Sequence, residues 1–510
     1  MGLRLQCHIN EELPKLAWLA SVDRNGVAVE VTHGPAVESN NEDWLVEGVW
    51  DGVFEAGEFH RSEYFFGSGM RIEDDAVFFV PSSAAIDRLC YCDDNGRLLV
   101  SNSLLVLLAA TGAELDPNHN YRRECLSILE RGVEDYEKEF AVVHPRIKCL
   151  YQQFYHNMVL SSGQIRFEQK PRGNHKIDSY DKYYRVLTGI LQQIRANYES
   201  SARKTAFSAV TTLSTGYDST AVSCLAKGLG VRTCFTGNGL KVPVLDLCAK
   251  DNGTAIAERL GLDPKSLDKK RSEVSENELY FLATSQPKFA TLPWFELSLD
   301  AMCQYIENNC SVAVVFTGHH GDIIWGTDTK EKELDDRLIR GASALSGMSL
   351  REIRLKSGFI NLAVPFILAR NIREIHHLSF SEEMAPWRLN NEYDRPIPRR
   401  ILEDAGVDRQ LFGMRKRYIA NTSAWPLNPV LKKQFFQFMK KEHHIGRLFI
   451  YAYYYMVRFT YTVQRTLRRK GIIHKTRNIA SRFNLDISFL MWQWATASLA
   501  SRISTSLHKQ

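Results

Sequence analysis

Apolar and polar positions alternate in short runs over the first third of the chain. GVAVEVTH, DAVFFVPSS, DRLCYCDD and GRLLVSNS alternate or are compactly apolar, and Gly and Asp-Asn punctuation separates them, so each predicts a β-strand. Residues 118–140 are more helical in character. YHNMVLSSGQIRFEQKP, which closes the region, predicts a hairpin. Residues 1–175 therefore read as an antiparallel β domain with a few helices, an α+β arrangement.

The rhythm changes at residue 176. DKYYRVLTGILQQIRANYESSAR places apolar residues every three or four positions and predicts a helix. KTAFSAVTTL follows as a buried strand, STGYDS as a turn, and TAVSCLAKGLG as a helix ending in Gly. VRTCFTG and NCSVAVVFTG predict further strands, with the helix NGTAIAERLGL between them. Strands alternating with helices predict an α/β parallel sheet across residues 176–430, with helices dominating after about residue 335. Residues 431–510 read as a separate helical extension.

The strand-turn-helix around STGYDST carries candidate chemistry. Unpaired N–H groups at a helix start, at the positive end of its dipole, form an anion site. Gly216 permits close backbone approach to a phosphate, and Ser214 and Ser219 supply hydroxyls. Asp218 would repel phosphate unless a divalent cation lay between them, which points to Mg²⁺. An ordinary turn with Ser and Asp at a helix cap is the plainer reading of the same residues.

STGYDST resembles the S-G-G-x-D-S pyrophosphate loop of the N-type ATP pyrophosphatases, with Thr215 where Gly is usual. About a hundred residues on, SVAVVFTGHHGDIIWG resembles the second loop of asparagine synthetases and their relatives, with Thr317, Gly318 and Asp322 in register. The resemblance assigns Ser214, Thr215, Gly216, Asp218, Ser219, Gly318 and Gly321 to ATP, and Asp218 and Asp322 to a shared Mg²⁺. His319 and His320 occupy positions that vary in the family. They read as structural or as reaching substrate or phosphate rather than as zinc ligands. Ile323 stands where asparagine synthetases often have an acid.

Other segments extend the likeness. DLCAKDNGTAIAERLGLD resembles the segment between the two loops. AVPFI retains Pro365 and Phe366 of an R-x-P-F-L-D motif but has Ala363 and Leu368 for its Arg and Asp, which argues against aspartate as substrate. YDRPIPRRILEDAGVDRQLFGMRKRY resembles the stretch that supplies a Lys near the reacting carboxylate, and the register leaves Lys416 or Arg417 for that role. In the first domain, LVEGVWDGVF and AAIDRLCYCDDNGRLLVSNSLLVLLAATG resemble the glutaminase domain of the class II enzymes. Their nucleophilic Cys follows the initiator Met, whereas this chain begins Met-Gly-Leu-Arg and its first thiol is Cys7. The resemblance thus implies a glutaminase-like fold without glutamine hydrolysis, as in β-lactam synthetases and lasso-peptide cyclases.

Composition adds three points. The ten cysteines are scattered with no CxxC pair, so reduced, buried thiols are expected. MGLRLQCHINEELPK has no apolar core of a secretory signal, and no run reaches the roughly 18 apolar residues of a membrane span. A cytoplasmic protein is expected, with association at the inner face of the membrane left open. The net charge of +5 conceals an asymmetry: residues 431–510 hold 15 Lys and Arg against two acids. That aromatic, basic tail reads as a helical cover for the parallel sheet or as a membrane-surface face, and nucleic acid is not expected as a partner.

The resemblance implies an ATP- and Mg²⁺-dependent enzyme that activates a carboxylate as an acyl-adenylate and forms an amide. Ammonia or an amine would be the acceptor. The expected substrate is a small-molecule or glycan carboxylate, as in bacterial surface-polysaccharide pathways. A macrocyclase or lactam synthetase using an internal amine, and an ATP-binding relative without turnover, are the alternatives.

Overall fold

The computed structural model describes residues 3–24, 28–237, 252–267, 277–284, 293–329, 331, 334, 337–338, 345–391, 393–414, 425–469 and 487–507. The first 168 residues form β1 (Arg4–Ile9), β2 (Trp18–Asp23), β3 (Ala28–His33), β4 (Glu38–Ser39), β5 (Trp44–Trp50), β6 (Phe65–Glu73), β7 (Ala76–Val80), β8 (Leu89–Asp94), β9 (Arg97–Ser101), α1 (Leu104–Thr111), α2 (Arg122–Asp135), β10 (Glu139–Ala141), β11 (Cys149–Gln153), β12 (Asn157–Ser161) and β13 (Gln164–Glu168). Seven strands make one sheet, in the order β1-β3-β2-β9-β8-β11-β10. Six make the other, in the order β13-β12-β7-β6-β5-β4. Apart from the parallel β1–β3 pair, the strands pair antiparallel.

Alternation decides how the two sheets stack. Ala20, Val22, Val29, Val31, Leu98 and Val100 of the first sheet meet Leu45, Met70, Val77, Phe79 and Met158 of the second in one buried layer. The expected helix over residues 118–140 is shorter than its pattern. It ends at Asp135 after a break at Gly132, which takes φ +75°, and Phe140 belongs to β10.

After α3 (Tyr180–Tyr198) the chain alternates: β14 (Phe207–Thr212), α4 (Tyr217–Gly228), β15 (Thr233–Thr236), α5 (Thr254–Leu260), β16 (Asp263–Ser266), α6 (Asn277–Leu282), α7 (Pro293–Asn309), β17 (Val312–Thr317), α8 (Gly321–Ile324), α9 (Leu345–Met348), α10 (Arg351–Ser357) and β18 (Phe359–Ala363). The five strands are parallel, in the order β16-β15-β14-β17-β18. β18 was not expected from the pattern. FINLA is buried throughout, and a short apolar run between helices has no period to declare itself. β14 and β17 are neighbours whose onward connections run to opposite edges of the sheet. The crevice beyond their C-terminal ends is where open α/β sheets receive ligands.

The remaining helices are α11 (Ile372–Phe380), α12 (Pro396–Asp404), α13 (Pro429–His443), α14 (Arg447–Arg469) and α15 (Ile487–Leu507). Part of the tail lies against the parallel-sheet region, where α15 packs on α6. α15 returns to the first region and packs on α1, with Trp492 against Tyr121 at 5.2 Å between ring centres. Gln493 fixes the contact by donating to the carbonyls of Asp116 at 3.2 Å and His119 at 3.1 Å. The cause lies in α1 itself. LLVLLAAT is apolar all round, so the sheet buries one side and a second helix must bury the other. Among the described residues no helix is long and apolar enough to cross a membrane.

Candidate functional site

β14 ends at Thr212 and α4 begins at Tyr217, so four residues turn the chain from sheet to helix. Hydroxyls fix that turn. Ser214 Oγ accepts the Gly216 N–H at 3.1 Å and lies 2.5 Å from Ser219 Oγ. Thr220 Oγ1 is within hydrogen-bonding range of the carbonyls of Ser214 at 2.7 Å and Gly216 at 2.5 Å, and Ser223 donates to Thr212 at 3.1 Å. Gly216 caps α4 in an extended conformation without a side-chain cap bond, which leaves the helix start available to an anion. Ser214 and Ser219 were expected as phosphate donors; they bond each other and hold the loop.

The second predicted loop lies directly against the first. A Cβ on Gly318 would sit 2.5 Å from Ser219 N and 2.6 Å from the carbonyl carbon of Asp218. A Cβ on Gly321 would sit 2.7 Å from both Cβ and Cγ of Asp218. These glycines admit Asp218 itself, a role their spacing in the sequence does not disclose.

His319 and His320 face different partners. His319 Nδ1 lies 3.0 Å from Thr317 Oγ1 and 3.3 Å from Asn361 Nδ2, while Thr317 donates to Asn361 Oδ1 at 2.7 Å. His320 takes a left-handed φ of +70°, bonds the Leu338 carbonyl at 2.5 Å and stacks on Phe366 at 4.7 Å. Burial pushes both imidazoles down to about 4, so both are neutral near pH 7. Pro365 and Phe366 form the turn that follows β18, which gives the AVPFI motif a packing role under the second loop.

Arg395 completes the cluster and was not singled out in the sequence. Its guanidinium pairs with Asp218, and it is nearly buried. Burial opposes its charge, yet Asp218 and, more weakly, Asp322 hold it above the usual arginine range. The one sequence signal is position: Arg395 immediately precedes Pro396, the first residue of α12. Tyr393 lies beneath, with Arg395 5.2 Å from its ring centre and Tyr217 4.9 Å beyond.

A last strand of chain crosses the first loop. Gly413, at φ +66°, has no room for a Cβ against the Tyr217 ring, and its N–H donates to the Thr215 carbonyl at 2.9 Å. Lys416 and Arg417 lie outside the described residues. The structure thus brings together Ser214, Thr215, Gly216, Asp218, Ser219, Gly318, Gly321 and Asp322 at the mouth of the β14–β17 crevice. Set against known proteins, the sequence matches no family model and no curated protein.

Proposed function

We propose that the chain is an ATP-dependent ligase of the asparagine synthetase-like kind. It activates a carboxylate as an acyl-adenylate and passes the acyl group to an amine. The observation that carries this reading is the contact of the Asp218 and Asp322 loops, edge to edge, at the exits of β14 and β17. Two hard carboxylate donors on the two loops fit Mg²⁺, so Asp218 and Asp322 are the residues that would hold it. When bound, the ion neutralises charge on the departing pyrophosphate.

The rest falls to the chain. The start of α4 receives phosphate oxygens, and the rigid hydroxyl-braced loop positions them. A substrate carboxylate oxygen attacks the α-phosphorus, the bond to the bridging oxygen breaks, and pyrophosphate leaves with that electron pair. The amine nitrogen then attacks the acyl carbon and loses a proton, and AMP departs. Lys416 or Arg417 is proposed to steady the oxyanion of that second step.

In this reading the stacked antiparallel sheets are a glutaminase-like domain that no longer supplies ammonia. Cys7 supports this, because it lies within β1, 3.5 Å from Ser39 Oγ, and burial pushes its thiol up. The amine is then free ammonia, ammonia from a partner, or an amine of the substrate. Amidation of a glycan carboxylate is the substrate class we favour. Arg395 on Asp218 supports a second reading, nucleotide binding without turnover.

ATP–pyrophosphate exchange across a panel of carboxylates, uronic acids included, separates the two. Carboxylate-dependent exchange that disappears in both Asp218→Asn and Asp322→Asn is expected. ATP binding with no exchange for any carboxylate would leave the second reading standing.

A further inference from the structure

α14 presents an apolar stripe to solvent. Leu448, Ala452, Tyr455, Met456, Phe459 and Val463 are all exposed, at the i, i+4, i+7, i+8, i+11 and i+15 spacing of one helix side. Phe449 borders the stripe and is 57% exposed, while Leu448 and Phe459 reach 80% and 71%. The helix does not lack a core contact. Its opposite side buries Ile450 and sets Tyr451 and Tyr454 against Trp425 at 4.7 and 4.8 Å between ring centres. That core contact leaves the outer stripe exposed.

Charge narrows what can cover it. Residues 447–469 contain five arginines and no acid, and Lys440, Lys441 and Arg447 are exposed where the helix begins. A second copy would bring a helix of the same net positive charge, with Lys440, Lys441 and Arg447 exposed at its start, against this one. Nucleic acid would satisfy the cations but leave Leu448, Met456 and Val463 without an apolar partner. An anionic bilayer offers acidic headgroups above and acyl chains below, the combination an amphipathic, basic helix with Tyr and Phe in its apolar face recognises.

We propose that α14 docks this protein on an anionic phospholipid surface, with the Leu448–Val463 stripe at the boundary of headgroups and acyl chains. The proposal does not depend on the ligase reading.

Sedimentation of the full chain with phosphatidylcholine vesicles, with and without phosphatidylglycerol, tests this. Binding is expected only with phosphatidylglycerol and should weaken as salt rises. Phe449→Ser with Phe459→Ser should reduce it at least about tenfold. Lys440→Gln and Arg447→Gln should each reduce it roughly fivefold. All four side chains are exposed, and melting temperature checks that the variants fold. Phe459→Trp reads insertion directly, through an emission blue shift and quenching by brominated lipid. The proposal is overturned by absence of binding to phosphatidylglycerol vesicles, by binding indifferent to the Phe substitutions, or by a wild-type dimer that those substitutions dissolve.

Discussion

Arg395 holds the carboxylate of Asp218, a residue 177 positions earlier in the chain, and feels the charge of Asp322 as well. Two acids at the mouth of one crevice repel each other, and a guanidinium answers that repulsion. The pair is uneven: the Arg395 side chain is 4% exposed and that of Asp218 is 22% exposed.

That unevenness predicts unequal costs. Asp218→Asn strands a nearly buried guanidinium and should destabilise the protein by about 3 kcal/mol. Arg395→Met leaves an acid that water reaches and should cost only about 1 kcal/mol. Urea unfolding of the two variants gives the order, and a larger loss for Arg395→Met would contradict this account of the pair. Millimolar Mg²⁺ should raise the melting temperature of Arg395→Met more than that of the wild type, because the two acids then lack their internal cation.

The glycines of the second loop make a sharper prediction. Gly321→Ala drives a methyl group into Asp218, whose Cβ and Cγ lie 2.7 Å from the new atom. Backbone and carboxylate must separate, at roughly 1–3 kcal/mol. Nucleotide affinity, read by calorimetry, should fall at least about tenfold while far-ultraviolet circular dichroism is unchanged. Gly189→Ala, where nothing lies within 4 Å of the added carbon, is the matched control and should leave affinity intact.

Much of this architecture is visible in the chain's patterning. The alternation in GVAVEVTH and GRLLVSNS and the strand-turn-helix at STGYDST state local preferences that tertiary structure keeps. Asp218 stood out as an acid in a phosphate-type loop and Asp322 through the resemblance to the asparagine synthetases, and the structure sets their loops at the exits of neighbouring strands. What was not legible depends on contacts between distant segments. Arg395 looked like one basic residue in a basic run until α12 placed it beside Asp218. β18 has no period to detect, and the return of α15 to α1 follows from an apolar helix needing cover that could have come from several places. Gly318 and Gly321 suggested phosphate, yet Gly318 makes room for the backbone of Asp218 and Ser219, and Gly321 for the Asp218 side chain.

The junction between the antiparallel and parallel regions rests on a buried ion cluster. Arg354 of α10 donates to both carboxylate oxygens of Glu47 in β5, at 2.8 and 3.0 Å, and to Asp87 at 3.0 Å. Ser68 at 2.6 Å and Asn102 at 3.2 Å complete the shell of Glu47. Arg354→Met removes the only cation of that cluster among these five residues and should cost about 3–5 kcal/mol. Adding Glu47→Gln should recover part of the loss, and a double-mutant cycle by urea unfolding should show coupling of at least about 1 kcal/mol. Additive losses would mean that the two residues act separately.

Lys170 is a buried amine whose cost should depend on pH. It is 2% exposed, donates to Asn157 Oδ1 at 3.0 Å and lies 5.6 Å from the Phe65 ring centre. Burial pushes the ammonium down to about 7, against a weaker pull upward from Asp51. In the unfolded chain the same group titrates near about 10.4. Between those values the unfolded chain binds more protons than the folded one, so this residue's contribution to stability rises with pH across the window. Below about pH 7 both states carry the proton, and the full cost of a buried charge is present. Lys170→Met keeps the bulk and removes the charge, although it leaves Asn157 Oδ1 without this donor. The variant should be more stable than the wild type by about 2 kcal/mol near about pH 6.5, and the gain should shrink toward about pH 9.5. Urea unfolding at the two pH values measures it, and a gain that grows with pH would show that Lys170 is charged and well paired.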